Sequence, residues 1–168
     1  RPVMKHWKSL DIKFDAIYTG FLGSFEQLDI VKGFFDAFRQ EDNLILVDPV
    51  MGDNGTPYTI VTPELMQGMR ELVHYADMIT PNLSEACWLL ERPYDTRALT
   101  RTDAMDMVRA LSALGPRQVV VTSARIESGW ANLYYDADRH EQGVLAYEAL
   151  ERQYPGTGDL FAAVLMGS

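Results

Sequence analysis

Short, largely apolar strand segments alternate with helix-length amphipathic segments along this chain, and no other feature limits its fold as strongly. Residues 15–19 (DAIYT), 44–48 (LILVD), 77–80 (DMIT) and 118–122 (QVVVT) read as buried strands. Residues 24–40 read as an amphipathic helix capped by Ser24. Thr62-Pro63-Glu64 opens a second helix that runs to about Tyr75, with Pro63 at a favoured first-turn position. Asn82–Glu91 and Thr102–Leu114 read as two more, the latter stopped by Gly115-Pro116. A last helix starts at Thr157, directly after a glycine turn. Strands with no polar face are buried on both sides, and helices between them imply βαβ units. Residues 130–135 (WANLYY) and 143–148 (GVLAYE) read as an antiparallel pair. The predicted architecture is α/β: a three-layer α/β/α sandwich with a mostly parallel central sheet and antiparallel strands near one edge.

Composition narrows the partners. The 168 residues are 47% hydrophobic, enough for one core without disulfides or a structural metal. Cys87 is the only cysteine, which rules out an intrachain disulfide and fits a cytoplasmic protein. Net charge is −9 and no basic run exceeds two residues, so nucleic acid and anionic membrane are not expected partners. A nucleotide remains compatible, because backbone N–H groups and a metal held by carboxylates can bind its phosphates. The expected organisation is a single domain over residues 1–168. The chain opens inside a helix-like segment and ends at Gly167-Ser168, so it is expected to lack N-terminal strand and C-terminal helix material of a longer protein.

In a parallel α/β sheet, ligands bind beyond the carboxyl ends of the strands. Polar clusters follow each predicted parallel strand: Tyr18-Thr19-Gly20-Phe21, Asp48 to Asp53, Thr80 to Glu85, and Thr122-Ser123. The turn Gly156-Thr157-Gly158-Asp159 joins them at a helix start. Its glycines allow successive N–H groups to aim at one anion, and the helix N-terminus adds partial positive charge. Asp159 sits where a carboxylate can take a hydroxyl proton during phosphoryl transfer. The alternative reading of the turn is a helix cap made by Thr157. Asp48 and Asp53 suit magnesium, or else belong to an ordinary turn. Asn82 and Glu85, three apart at a helix start, suit a metal's water shell or phosphates, or form a capping box. No GxxxxGK[ST], GxGxxG or GxSxG stretch is present.

Taken in order, TGFLGS, VDPVMGDNG, TPNLSEA, VVVTS and PGTGDLFAAVL resemble the ribokinase-like superfamily and, within it, pyridoxal/pyridoxamine kinases most closely. The resemblance spans residues 14 to 168. It implies an ATP:alcohol phosphotransferase that phosphorylates the 5′-hydroxymethyl group of pyridoxal, pyridoxine or pyridoxamine. ATP and Mg2+ are the implied cofactors, with a monovalent cation left open, and a homodimer is the implied assembly. Asp159 matches the catalytic base, and Gly156, Thr157 and Gly158 match the anion hole. Asp48, Asn82, Glu85, Thr122 and Ser123 match nucleotide-contacting positions. Asp53, Thr80 and Glu85 match the metal region, and Phe21 the aromatic position near the substrate ring. Hydroxymethylpyrimidine kinases of thiamine biosynthesis share the DPVM and TPN segments, but often carry Cys where this chain has Asp159. A non-catalytic vitamer- or nucleotide-binding protein is the third reading.

Overall fold

The computed structural model describes residues 2–150, 152, 154 and 156–168. A first helix, α1 (Pro2–Ser9), precedes strand β1 (Ala16–Thr19), helix α2 (Phe25–Phe38) and strand β2 (Leu44–Val47). A two-residue hairpin follows, β3 (Gly52–Asp53) against β4 (Thr56–Pro57). Next come α3 (Pro63–Leu72), a 3-10 turn (Val73–Tyr75), β5 (Met78–Ile79), α4 (Leu83–Leu89) and α5 (Arg101–Ser112). The chain then runs through β6 (Gln118–Ile126), β7 (Gly129–Asp136), β8 (Glu141–Tyr147) and α6 (Thr157–Met166).

The main sheet has the order β1-β2-β5-β6-β7-β8. β1, β2, β5 and β6 are parallel, and β7 and β8 form the antiparallel edge. This is the predicted three-layer α/β sandwich. Alternation along each strand sends neighbouring side chains to opposite faces. Ile17, Ile45, Val47, Ile79, Val119 and Val121 face the larger core, where α2 to α5 pack. Leu46 and Met78 face the other way, onto Ala162 of α6, with Tyr18, Leu165 and Met166 around them. Each fully buried Leu, Ile or Met contributes roughly 1.5–3 kcal/mol.

Helix starts follow the sequence signals. Ser24 Oγ accepts from the Gln27 N–H at 3.3 Å, and Thr62 Oγ1 from the Leu65 N–H at 3.2 Å, with Pro63 in the first turn. α3 buries Leu65, Gly68, Met69 and Leu72, the i, i+3, i+4, i+7 stripe of a core-facing helix. α5 begins one residue earlier than Thr102, because Thr100 caps it by accepting from the Asp103 N–H at 3.1 Å.

Three features differ from expectation. The loop after β2 pairs with itself as the β3–β4 hairpin. The helix predicted to reach Tyr75 tightens into the 3-10 turn after Leu72. The strand predicted over 118–122 continues to Ile126, with a bulge between Val121 and Ala124. Thr122 and Ser123 therefore sit inside a strand rather than after one, and Ser123 has φ 53 at the bulge. Pro155, the first residue of the PGTGD motif, lies outside the described residues. No helix among the described residues is long and apolar enough to cross a membrane.

Candidate functional site

The carboxyl ends of β1, β2 and β5 and the N-terminus of α6 meet at one corner. Leu46, Met78 and Ala162 hold α6 against the sheet, and that docking carries Gly158 and Asp159 to the ends of the strands. Gly156 occupies the cap position with φ 83 and ψ 3, left-handed geometry that suits glycine. Among the described residues no side chain caps the helix. Thr157 lies inside the first turn, and its hydroxyl donates to the Tyr154 carbonyl at 3.1 Å. The Thr157-cap reading of this turn is therefore not what the structure forms. A Cβ added at Gly158 would lie 3.9 Å from Asp48 Oδ2, so the turn faces that acid across a narrow gap.

Two carboxylates and a phenol share this corner. Tyr18 donates to Asp159 Oδ1 at 3.1 Å. Asp48 is buried at the end of β2, and its N–H donates to the Thr19 carbonyl at 2.8 Å. Burial pushes its pKa up to about 7, with a further rise from the Asp159 charge and a partial offset from the Thr80 hydroxyl. The Thr80 hydroxyl lies beside Asp48, yet is buried without a hydrogen bond of good geometry, and so is that of Thr19. A buried hydroxyl left without a partner beside a buried acid is the kind of group a ligand satisfies.

Glu85 and Asn82 are engaged otherwise. Glu85 Oε1 accepts from the Met51 N–H at 3.0 Å and Oε2 from the Asn82 N–H at 2.8 Å. Asn82 Oδ1 accepts from the Glu85 N–H at 3.0 Å, closing a reciprocal capping box. The Asn82 amide also donates to the Gly52 carbonyl at 2.8 Å. This pair thus ties α4 to the loop after β2. Burial pushes the Glu85 pKa up to about 8, against the backbone donors from Met51, Asn82 and Gly52, and the Asp48 charge adds to the rise.

The remaining predicted residues lie around this corner. Asp53, on the exposed hairpin, accepts from the Asn54 N–H at 2.7 Å and from its amide at 3.0 Å. Phe21 is half exposed and meets Tyr58 edge-on, with ring centroids 6.4 Å apart. Thr122 bridges to Asn82, and its N–H donates to the Pro81 carbonyl at 2.9 Å. Ser123 is exposed on the bulge, where its N–H donates to Asn132 Oδ1 at 3.3 Å. The structure gathers Asp48, Thr80, Gly158 and Asp159 in direct proximity. Asn82 and Glu85 stand one layer back, Asp53 and Phe21 on the rim, and Thr122 and Ser123 one strand over.

Two site residues carry no individual role in the sequence reading. Tyr18 appears there only within the polar cluster at the end of the first strand, and Tyr58 is not singled out. Burial raises the Tyr58 pKa first, and the charges of Glu85, Asp53 and Asp48 add to the rise. A phenol within an otherwise apolar strand, two residues before a glycine, was the available signal for Tyr18.

Among the described residues no three His, Cys, Asp or Glu side chains gather closely enough to hold a metal alone. Magnesium needs less, since it keeps several waters and takes one or two carboxylates with phosphate oxygens. Asp48 and the unpartnered Thr80 hydroxyl fit that demand.

Known proteins share this fold. A model of the phosphomethylpyrimidine kinase family matches residues 4–168. A Bacteroides thetaiotaomicron protein provisionally described as a phosphomethylpyrimidine kinase, solved with pyridoxal, superposes with a TM-score of 0.92 at 40% identity, covering 99% of this chain and 59% of that one. Pyridoxal kinase from Leishmania donovani, solved with ADP and pyridoxamine, superposes with a TM-score of 0.81 at 27% identity, covering 98% and 60%. Pyridoxal kinase from Arabidopsis thaliana is 34% identical over 163 residues, 92% of this chain and 50% of that protein. The chain thus spans about half the length of the curated relatives it matches.

Proposed function

The chain belongs to the phosphomethylpyrimidine kinase family, within the ribokinase-like superfamily, and on that premise we propose that it forms the core of an ATP-dependent kinase for the hydroxymethyl group of a small nitrogen heteroaromatic alcohol. The observation that carries this reading is the uncapped N-terminus of α6, with Asp159 in its first turn and Asp48 opposite Gly158. In this reading Asp159 accepts the hydroxyl proton as the alcohol oxygen bonds to the γ-phosphorus and the bond to the ADP oxygen breaks. Gly156, Thr157 and Gly158 direct N–H groups and the helix dipole at the charge on the transferring group. Asp48 and Thr80 would hold Mg2+, with Asp53 within reach of its waters, while Glu85, both of whose oxygens accept from backbone N–H groups, serves by holding the loop after β2 in place. The ion, when bound, neutralises charge on the phosphates. Asn82, Thr122 and Ser123 border the nucleotide, and Phe21 and Tyr58 offer ring edges to the heteroaromatic acceptor. A homodimeric, cytoplasmic enzyme is part of the same proposal, as the resemblance implies.

Two acceptors remain, each with its own support. A hydroxymethylpyrimidine or its phosphate is favoured by the family model, which covers nearly the whole chain, and by the description of the Bacteroides protein. Pyridoxal is favoured by the names of the curated relatives and by the pyridoxal in that same crystal form. A substrate panel with the full-length protein decides between them by kcat/KM. ATP-dependent phosphorylation of at least one of these alcohols is expected, and binding without turnover of either would leave the non-catalytic reading.

A further inference from the structure

Tyr18 is an unusual occupant of its strand. β1 reads Ala16-Ile17-Tyr18-Thr19, and alternation turns Ile17 into the larger core and Tyr18 to the α6 side. There its ring packs by Leu46, Met78 and Ala162, and its hydroxyl reaches Asp159 Oδ1 at 3.1 Å. Space for this contact is left by Gly20. A Cβ at that position would lie 3.2 Å from the Tyr18 oxygen and 3.3 Å from Asp159 Oδ1, closer than such contacts comfortably allow.

The chemistry of the pair runs one way. Burial foremost, then the charge of Asp48, then the hydrogen bond to Asp159 and its charge, push the Tyr18 pKa up, so the phenol keeps its proton and donates. Tyr18 is thus no base. Asp159 is exposed on the first turn of α6, and nothing else among the described residues hydrogen-bonds its carboxylate. A free carboxylate there would rotate between rotamers and face Asp48 in some of them. A charge-assisted bond to one oxygen limits that freedom.

We propose that Tyr18 is a positioning residue that holds Asp159 by Oδ1 and so presents the other carboxylate oxygen to the acceptor hydroxyl, an inference that rests on the proposed catalytic role of Asp159. Loss of alignment at a proton-accepting group lowers the rate of the chemical step more than substrate affinity. In the full-length protein, Tyr18→Phe keeps the ring and removes only the donor. Its kcat is expected to fall by about tenfold or more, with KM for ATP and alcohol within about twofold of wild type and an unchanged Tm. Asp159→Asn is assayed beside it. If Asp159→Asn keeps near-wild-type kcat, the catalytic reading of Asp159 fails and takes this inference with it. If Asp159→Asn is slow while Tyr18→Phe keeps its kcat, or loses rate only through KM or folding, Tyr18 is a packing residue and only this inference is overturned. Should Tyr18→Phe not fold, Gly20→Ala decides, because its methyl wedges against the same pair. A lowered kcat at constant KM supports the inference, and an unchanged kcat overturns it.

Discussion

Two helix N-termini lie at the carboxyl edge of the sheet, on its opposite faces, and are finished in opposite ways. α4 begins with a closed capping box, in which Asn82 and Glu85 satisfy each other's backbone N–H groups, and both side chains reach on to the loop after β2. α6 begins at a left-handed glycine with no side-chain cap, and its first acid points into the corner instead of back at the chain. A helix start that satisfies itself is a structural joint. One left uncapped retains its N–H groups and dipole for a ligand. Changes at α6 should therefore act on rate, and changes at α4 on stability.

The largest effect is expected at α6. Asp159→Ala should lower kcat about 10²- to 10⁴-fold, the range for losing a general base, with Tm little changed because the residue is exposed. An Asp159→Ala enzyme with near-wild-type kcat would remove the functional half of the comparison. Gly158→Ala comes next. Its added methyl meets only Asp48 Oδ2, at an ordinary 3.9 Å, so folding should tolerate it. The methyl nevertheless fills the gap between turn and acid where the transferring phosphoryl is placed. A fall in kcat of about 10²-fold with Tm within a degree or two is expected, since one misplaced group at a reacting centre costs that much. A fall in Tm without a fall in kcat would make the turn structural.

Much of this contrast was already visible in the residues. The parallel sheet followed from the apolar runs, because a strand without a polar face has to be covered on both sides. Ser24, Thr62 and Asn82 marked their helix starts, since short polar side chains serve that position locally. The glycines and Asp159 marked α6, although the local pattern left cap and cradle equally open. Docking of α6 on Leu46 and Met78 sets where that turn lies, and that contact is tertiary. The same reason hid the role of Tyr18, whose partner lies 141 residues away. Ser123 and Thr122 were misplaced at a strand end because β6 continues past its bulge along β7, a pairing set by the partner strand. Glu85 was legible as capping residue or ligand, and the structure engages both of its oxygens with backbone donors.

At α4 the expected losses are in stability. Asn82→Ala removes the acceptor for the Glu85 N–H and the donor to the Gly52 carbonyl. Loss of a cap of this type costs about 1–2 kcal/mol, read as a lower Tm or denaturant midpoint. The kcat of the folded fraction should fall less than in Gly158→Ala. A larger loss of kcat than in that variant, at unchanged Tm, would reverse the comparison.

The remaining effect is a drift of stability with pH, measured without nucleotide or metal. Burial raises Asp48 from 3.8 to about 7 and Glu85 from 4.5 to about 8. The unfolded chain releases these protons near the lower values, while the folded protein keeps them to the higher ones. Between those limits the folded state binds more protons, so unfolding free energy falls as pH rises, by no more than about 1.4 kcal/mol per pH unit for each acid. Below the lower values both states are protonated, and above the higher ones both are ionised, so the drift stops. Asp48→Asn should flatten the part of the drift below about pH 7, and Glu85→Gln should flatten the part that continues to about pH 8. Glu85→Gln also swaps one acceptor for a donor facing a backbone N–H, so its absolute stability drops while its slope lessens. Slope and intercept therefore separate the charge of the α4 box from its hydrogen bonds. A stability that stays flat with pH across this window would show that the two acids are already ionised in the folded protein, and that the edge beside α4 is an open anionic site rather than a closed joint.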